Sequence, residues 1–222
     1  VDDIFREVDD EVRAERARHA LRRYGGLVVL AAVLALGGAT GWLLWARHER
    51  LQNEAAATLY VSAMRLGEST VAGGEAPARN EAMTAFEKVV DQAPEGYRTL
   101  ARMRLAALQE DGGAQAAALG GWQAVADDPA ADPLLRGLAN LYWVYGQIET
   151  GDPVVLKARL DSLTPANNPW HGLALEALAL LDMRQGHTEM ARQTLHNLTQ
   201  DTTAPEGVRG RATSLLARLE GG

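Results

Sequence analysis

Five histidines, His19, His48, His171, His187 and His196, are the side chains best placed by type to ligate a metal or move protons near neutral pH. Their spacing serves neither task. They fall on different elements, and His187 and His196 lie nine apart, beyond one helix face, so each reads as a surface or capping residue. Asp127, Asp128 and Asp132 could surround a cation, but the segment lacks calcium-loop spacing and contains Pro129 and Pro133, so helix capping is the better reading. With no cysteine in the chain, thiolate zinc, iron–sulfur clusters, disulfides and cysteine nucleophiles are all ruled out. No glycine-rich phosphate loop follows a strand. Arg98 and Arg102 share a helix face and could clamp a carboxylate, with solvated surface arginines as the competing reading. No metal or cofactor is expected, and the chain reads as a binding protein rather than an enzyme.

The elements that would position a binding surface follow from composition and pattern. The 222 residues are 47% apolar and 23% charged, a globular balance with enough apolar matter for a core. The net charge of -7 provides no general attraction for phosphate backbones, so no nucleic-acid partner is expected.

From Tyr24 to Ala46 run 23 residues without a charge, bracketed by Arg22 and Arg23 before and by Arg47 and Arg50 after. As a helix this stretch covers roughly 34 Å at 1.5 Å per residue, enough for a hydrocarbon layer of roughly 30 Å. Tyr24, Trp42 and Trp45 stand at its ends, where amphipathic rings settle at a lipid–water interface. A transmembrane helix over 24–46 is therefore expected, with a buried core helix and a cleavable signal peptide as the rivals. Six arginines precede the span (Arg6, Arg13, Arg16, Arg18, Arg22, Arg23), against Arg47, Arg50 and Arg65 after it. This bias puts the N-terminus inside and the C-terminal part on the far side. Gly37 and Gly41 share one stripe and form a candidate contact for a second membrane helix. Residues 1–23 read as a short cytoplasmic amphipathic tail, or as a solvated charged helix.

Beyond residue 46 apolar residues recur at three and four, and glycine or proline punctuates the chain, so every segment from 47 to 222 reads as helix. A unit recurs: Ala82, Phe86, Val89; Ala118, Trp122, Val125; Leu156, Leu160, Leu163; Ala191, Leu195, Leu198, with starts 36, 38 and 35 residues apart. Gly113, Gly151 and Gly186 precede the last three copies by five positions, where a tight turn is expected. Pro94, Pro133, Pro169 and Pro205 mark helix entries. Ala93-Pro94-Glu95-Gly96-Tyr97-Arg98 returns as Ala204-Pro205-Glu206-Gly207-Val208-Arg209. An extra loop is expected over Ser69 to Ala78, and a lone capping helix over Val208 to Leu219. This pattern resembles the tetratricopeptide repeat, from about Leu51 to Leu219. The fold class expected is all-α: one transmembrane helix, then a tetratricopeptide-like helical-hairpin solenoid with a C-terminal capping helix.

Across the junction, Gly41, Trp42, Trp45 and His48 form a G-W-x-x-W-x-x-H pattern that runs ungapped into Ala56, Tyr60 and Ala63. This pattern is similar to that of the YfgM-like family of bacterial inner-membrane proteins. The resemblance implies a cytoplasmic tail, a single-pass anchor in the inner membrane and a periplasmic repeat domain. It also implies work as an ancillary subunit of the SecYEG translocon beside periplasmic chaperones and exported polypeptides. The alternative is an accessory subunit of another inner-membrane complex, such as a respiratory assembly. In tetratricopeptide arrays the first helix of each unit lines a concave groove, and the register places Leu100, Met103, Leu138, Leu141, Tyr145, Ile148, Leu173, Leu180 and Met183 there. Burial between neighbouring helices is the competing assignment for these residues.

Overall fold

The computed structural model describes the backbone of residues 2–71 and 76–221, and the side chains of residues 30, 33–68 and 77–221. Among the described residues every regular element is helical: α1 (Asp2–Val71), α2 (Ala76–Gln92), α3 (Glu95–Asp111), α4 (Gln115–Ala126), α5 (Pro133–Tyr145), α6 (Pro153–Asp161), α7 (His171–Arg184), α8 (Thr188–Gln200) and α9 (Glu206–Glu220). The chain divides into two units, Val1–Gln52 and Asn53–Gly222. The second begins a few residues after the boundary expected at 47, and its first buried side chain is Ala56.

In the first unit the described large apolar side chains Leu30, Val33, Leu34, Leu36, Trp42, Leu43, Leu44 and Trp45 are each more than half exposed. Thr40 returns its hydroxyl to the carbonyl of Leu36 at 2.6 Å, so its polarity is satisfied within the helix. The side chains of Tyr24 to Val29 and of Ala31 and Ala32, part of the expected span, lie outside the described residues. Among the described residues no helix is long and apolar enough to cross a membrane.

The second unit is a stack of helical hairpins. All twelve side chains that define the repeat, from Ala82 to Leu198, are 6% exposed or less. Four cores follow one another along the chain, and each draws on three successive helices. Phe86 and Val89 of α2 sit between α1 and α3 with Ala56, Ala63 and Ala101. Trp122 and Val125 of α4 sit between α3 and α5. Leu156 and Leu160 of α6 sit between α5 and α7, and Leu195 and Leu198 of α8 between α7 and α9. The lone helix α9 closes the last core with Val208 and Ala212, as a terminal cap must.

The punctuation behaves mostly as expected. Gly113 and Gly186 have φ of 79° and 77°, the left-handed region that favours glycine. Gly151 does not share it; there Asp152 caps α6 by accepting from the Val154 amide at 2.9 Å, and a side chain at 151 would meet the Gln147 carbonyl at 3.0 Å. Pro94 and Pro205 are the N-cap residues of α3 and α9, and Pro133 opens α5 behind the Asp132 cap. Pro169 stands one residue outside the Trp170 cap of α7. The loop expected over Ser69 to Ala78 is shorter: helix occupies Ser69–Val71 and Ala76–Ala78, while 72–75 lie outside the described residues. Ala76 and Ala78 favour helix, and Pro77 falls in a first turn, where its missing N–H is not needed.

One close approach sets the spacing of two first helices. The Trp170 ring lies over Gly137, where a Cβ would stand 2.5 Å from Cδ1 and 2.7 Å from Nε1, and its indole N–H donates to the Leu134 carbonyl at 3.0 Å. Gly137→Ala must displace that ring and is expected to destabilise the chain by about 1–3 kcal/mol. Gly210→Ala, on a part of α9 with open space around it, should instead raise stability by about 0.5–1 kcal/mol. Urea unfolding followed by circular dichroism measures both, and equal midpoints for the two variants would refute the packing argument.

Candidate polypeptide-binding surface

A four-residue motif recurs in the first turns of α3, α5, α7 and α9, and apolar periodicity gives no sign of it: Arg98-Thr99-Leu100-Ala101, Arg136-Gly137-Leu138-Ala139, His171-Gly172-Leu173-Ala174 and Arg209-Gly210-Arg211-Ala212. The four alanines are each 0% exposed, so the four copies hold the same place in their helices. In three copies the basic residue bonds back to the preceding loop. Arg98 donates to the Ala93 carbonyl at 3.1 Å and Arg209 to the Ala204 carbonyl at 3.0 Å. The His171 Nδ1 lies 2.5 Å from the Thr164 carbonyl, which only accepts, so Nδ1 carries the proton. Arg102 reaches Asp128 at 3.7 Å. Arg98 and Arg102 are thus committed to holding loops and do not form a clamp.

The residue before each alanine marks the face under consideration. Leu100 lines a hollow of about 670 Å³ with Asn53, Gly96, Tyr97, Asp132, Leu134 and Leu135, all within the repeat unit. Leu134 is 48% exposed, and the lining is mostly apolar side chain. The Asp132 carboxylate is occupied with the Leu134 amide at 2.7 Å. Farther along, the expected groove is partly closed by its own packing. Met103 and Leu141 are core residues, 8% and 1% exposed, and are corrected from lining to core. Two positions past the buried alanine, the helix faces its own hairpin rather than the open side. Leu138 packs on the core around Trp122. Tyr145, Ile148 and Leu173 pack on the core around Leu160, and Met183 packs beside Leu195. Leu180 is half-buried.

Beyond Leu173 the face becomes polar. Glu176, only 4% exposed, accepts from Arg211 Nε at Oε1 and from Nη2 at Oε2, each at 2.6 Å. This two-pronged pair joins α7 to α9 and holds the Arg211 guanidinium in its charged form. The Tyr145 hydroxyl donates to the Leu173 carbonyl at 3.2 Å. Burial first, and the Glu176 charge second, push the Tyr145 phenol well above its ordinary value, while Arg211 opposes the shift in part.

The other candidates settle as structural residues. Asp128 accepts from the Ala130 amide at 3.0 Å, and Asp127 lies 3.7 Å from Arg159. His48 pairs with Gln52 at 2.9 Å and His187 with Asp182 at 3.4 Å. His19 lies outside the described side chains. Among the described residues no group of three or more His, Cys, Asp or Glu could hold a metal ion. Gly37 and Gly41 have open space where a Cβ would stand, and Trp42 and Trp45 are 65% and 62% exposed. The Tyr24 side chain lies outside the described residues.

The raised Tyr145 phenol ties stability to alkaline pH. Its contribution is complete below the unfolded value near 10 and is lost as pH climbs, because the unfolded chain releases this proton first. Between pH 9 and 11 the wild type should therefore lose about 1 kcal/mol more than Tyr145→Phe, read from urea midpoints across that range; parallel profiles would contradict the assignment. In comparison with known proteins, no family model matches the chain, and no curated protein and no solved structure gives a significant match.

Proposed function

We propose that this protein is a non-enzymatic, membrane-anchored adaptor whose hairpin repeats, of tetratricopeptide type, grip other polypeptides. The observation that carries the reading is the row of unpartnered apolar side chains from Leu30 to Trp45, each more than half exposed, on the helix that leads into the repeats. In water such a row is costly at about 25 cal/mol per Å² of apolar surface, whereas in lipid it is solvated. Helical backbone extends through the whole uncharged stretch from Tyr24 to Ala46, so its amides are satisfied internally. Gly37 and Gly41 suit contact with a second membrane helix. The arginine bias favours residues 1–23 inside and the repeats on the far side, which the resemblance to the YfgM-like family makes the cytoplasm and the periplasm of a bacterial inner membrane.

Within that arrangement the hollow around Leu100 and Leu134 offers apolar contact to a chaperone or an exported chain. An accessory role at the Sec translocon follows from the resemblance to the YfgM-like family. Tethering raises the local concentration of a weak binding surface at its place of work. The test is photocrosslinking from Leu100 and Leu134 in native membranes, with carbonate extraction to establish anchoring. Translocon subunits, periplasmic chaperones or exported chains are expected among the adducts, and the protein should stay in the pellet. Release by carbonate, or adducts restricted to redox subunits, would overturn the assignment.

A further inference from the structure

The hollow around Leu100 has a smaller neighbour on the same two helices. On α3, Tyr97, Leu100, Arg104, Ala107 and Asp111 follow one another at three and four, so they share one stripe. On α1, Asn53, Ala57, Tyr60, Met64 and Gly67 do the same. The Tyr60 and Tyr97 rings lie 5.9 Å apart, so the two stripes face each other. Farther along, the same stripes enclose a second hollow of about 110 Å³, floored by Met64, Phe86 and Leu108. Gly67 and Ala107 leave it open: a side chain at Gly67 would extend toward Phe86, whose Cε2 stands 3.6 Å from where a Cβ would be. The space is smaller than the roughly 150 Å³ that holds a benzene ring. One slim side chain fits.

Glu68, Asp111 and Arg104 complete the lining, all exposed and none in an ion pair among the described residues. Glu110 adjoins them; burial first, and the Asp111 charge second, hold its carboxyl above the ordinary value. Arg79 adds a second cation, its Cδ 3.4 Å from where a Gly112 Cβ would stand. Three acids thus stand against two bases, at a helix end that has no basic residue in its last turn and itself carries about half a unit of negative charge. The same sign holds at longer range. Residues 53–222 carry 21 acidic and 14 basic side chains, the whole of the chain's net charge of -7.

We infer that the second hollow receives a basic side chain, and that the polypeptide held by this surface carries that residue about four positions from the apolar residue seated at Leu100. This rests on the polypeptide-binding reading above and narrows its ligand. The stem of a lysine or arginine suits the apolar floor while its head reaches Glu68 and Asp111. From Leu100 to Leu108 the helix rises roughly 12 Å at 1.5 Å per residue, which extended chain covers in about four residues at roughly 3.3 Å each. An acidic side chain would meet two carboxylates instead.

The test uses the full chain in micelles of an uncharged detergent and fluorescein-labelled serine–glycine peptides built on a central Leu-Leu pair. Three carry lysine, glutamine or glutamate four residues to either side of the pair, which covers both chain directions; a fourth carries its lysines next to the pair. By anisotropy, corrected for empty micelles, the spaced lysine peptide should bind about fivefold more tightly than the glutamine peptide, and the glutamate peptide more weakly still. The adjacent-lysine peptide should match the glutamine peptide within about twofold, which separates the hollow from the general acidity of the unit. Glu68→Gln with Asp111→Asn should level the spaced lysine and glutamine peptides. Glu81→Gln with Glu87→Gln, which removes equal charge from exposed positions of α2, should leave the preference intact. Equal binding of the two lysine peptides, equal binding of lysine and glutamine peptides, or a preference that survives Glu68→Gln with Asp111→Asn overturns the inference and leaves the larger hollow standing. Failure of every peptide to bind overturns it together with the reading on which it rests.

Discussion

Each hairpin of this protein has an apolar face that it cannot bury alone, and the first helix of the next hairpin must cover it. Phe86, Trp122, Leu160 and Leu195 hold the same place in successive cores, each enclosed by its own hairpin and by the helix that follows. Every other feature of the repeat unit serves this arrangement. Ala101, Ala139, Ala174 and Ala212 are small where a first helix meets the preceding second helix, so the backbones approach closely. Arg98, His171 and Arg209 hold the loops that deliver those helices, through hydrogen bonds to carbonyls. Such carbonyls would otherwise end turns without partners.

The same constraint decides what the first-helix face has left to offer. Packing against the adjoining cores draws Leu138, Leu173 and Met183 inward, so the apolar row is only half open. It opens most where α3 and α5 begin, around Leu100, Leu134 and Leu135. At the other end the contact between α7 and α9 is made by Glu176 and Arg211 instead of apolar residues. The face is therefore asymmetric, apolar toward the N-terminal hairpins and joined by a charge pair at the cap. In the first unit the balance is reversed. Among the described residues no second layer covers Leu30 to Trp45, and a helix with that surface requires an apolar medium or a partner.

Much of this is legible in the sequence. A repeated apolar triplet records, copy by copy, which helix face is covered, because burial in a stack of like units depends on local periodicity. For that reason the twelve triplet residues can be picked out from the amino-acid order alone, as can the turn glycines Gly113 and Gly186 and the terminal cap. The uncharged stretch from Tyr24 to Ala46 is legible for the same reason, since it is a property of consecutive residues. Tertiary structure alone decides the rest. Met103 and Leu141 carry the same apolar signal as Leu100, yet they are closed while Leu100 is open, and only the rotation of each helix against its neighbours distinguishes them. The pairing of Glu176 with Arg211 and the seating of Trp170 over Gly137 join residues more than thirty positions apart. Local pattern does not encode such distances; they are set by the separation of packed helices, which every core residue in between determines together.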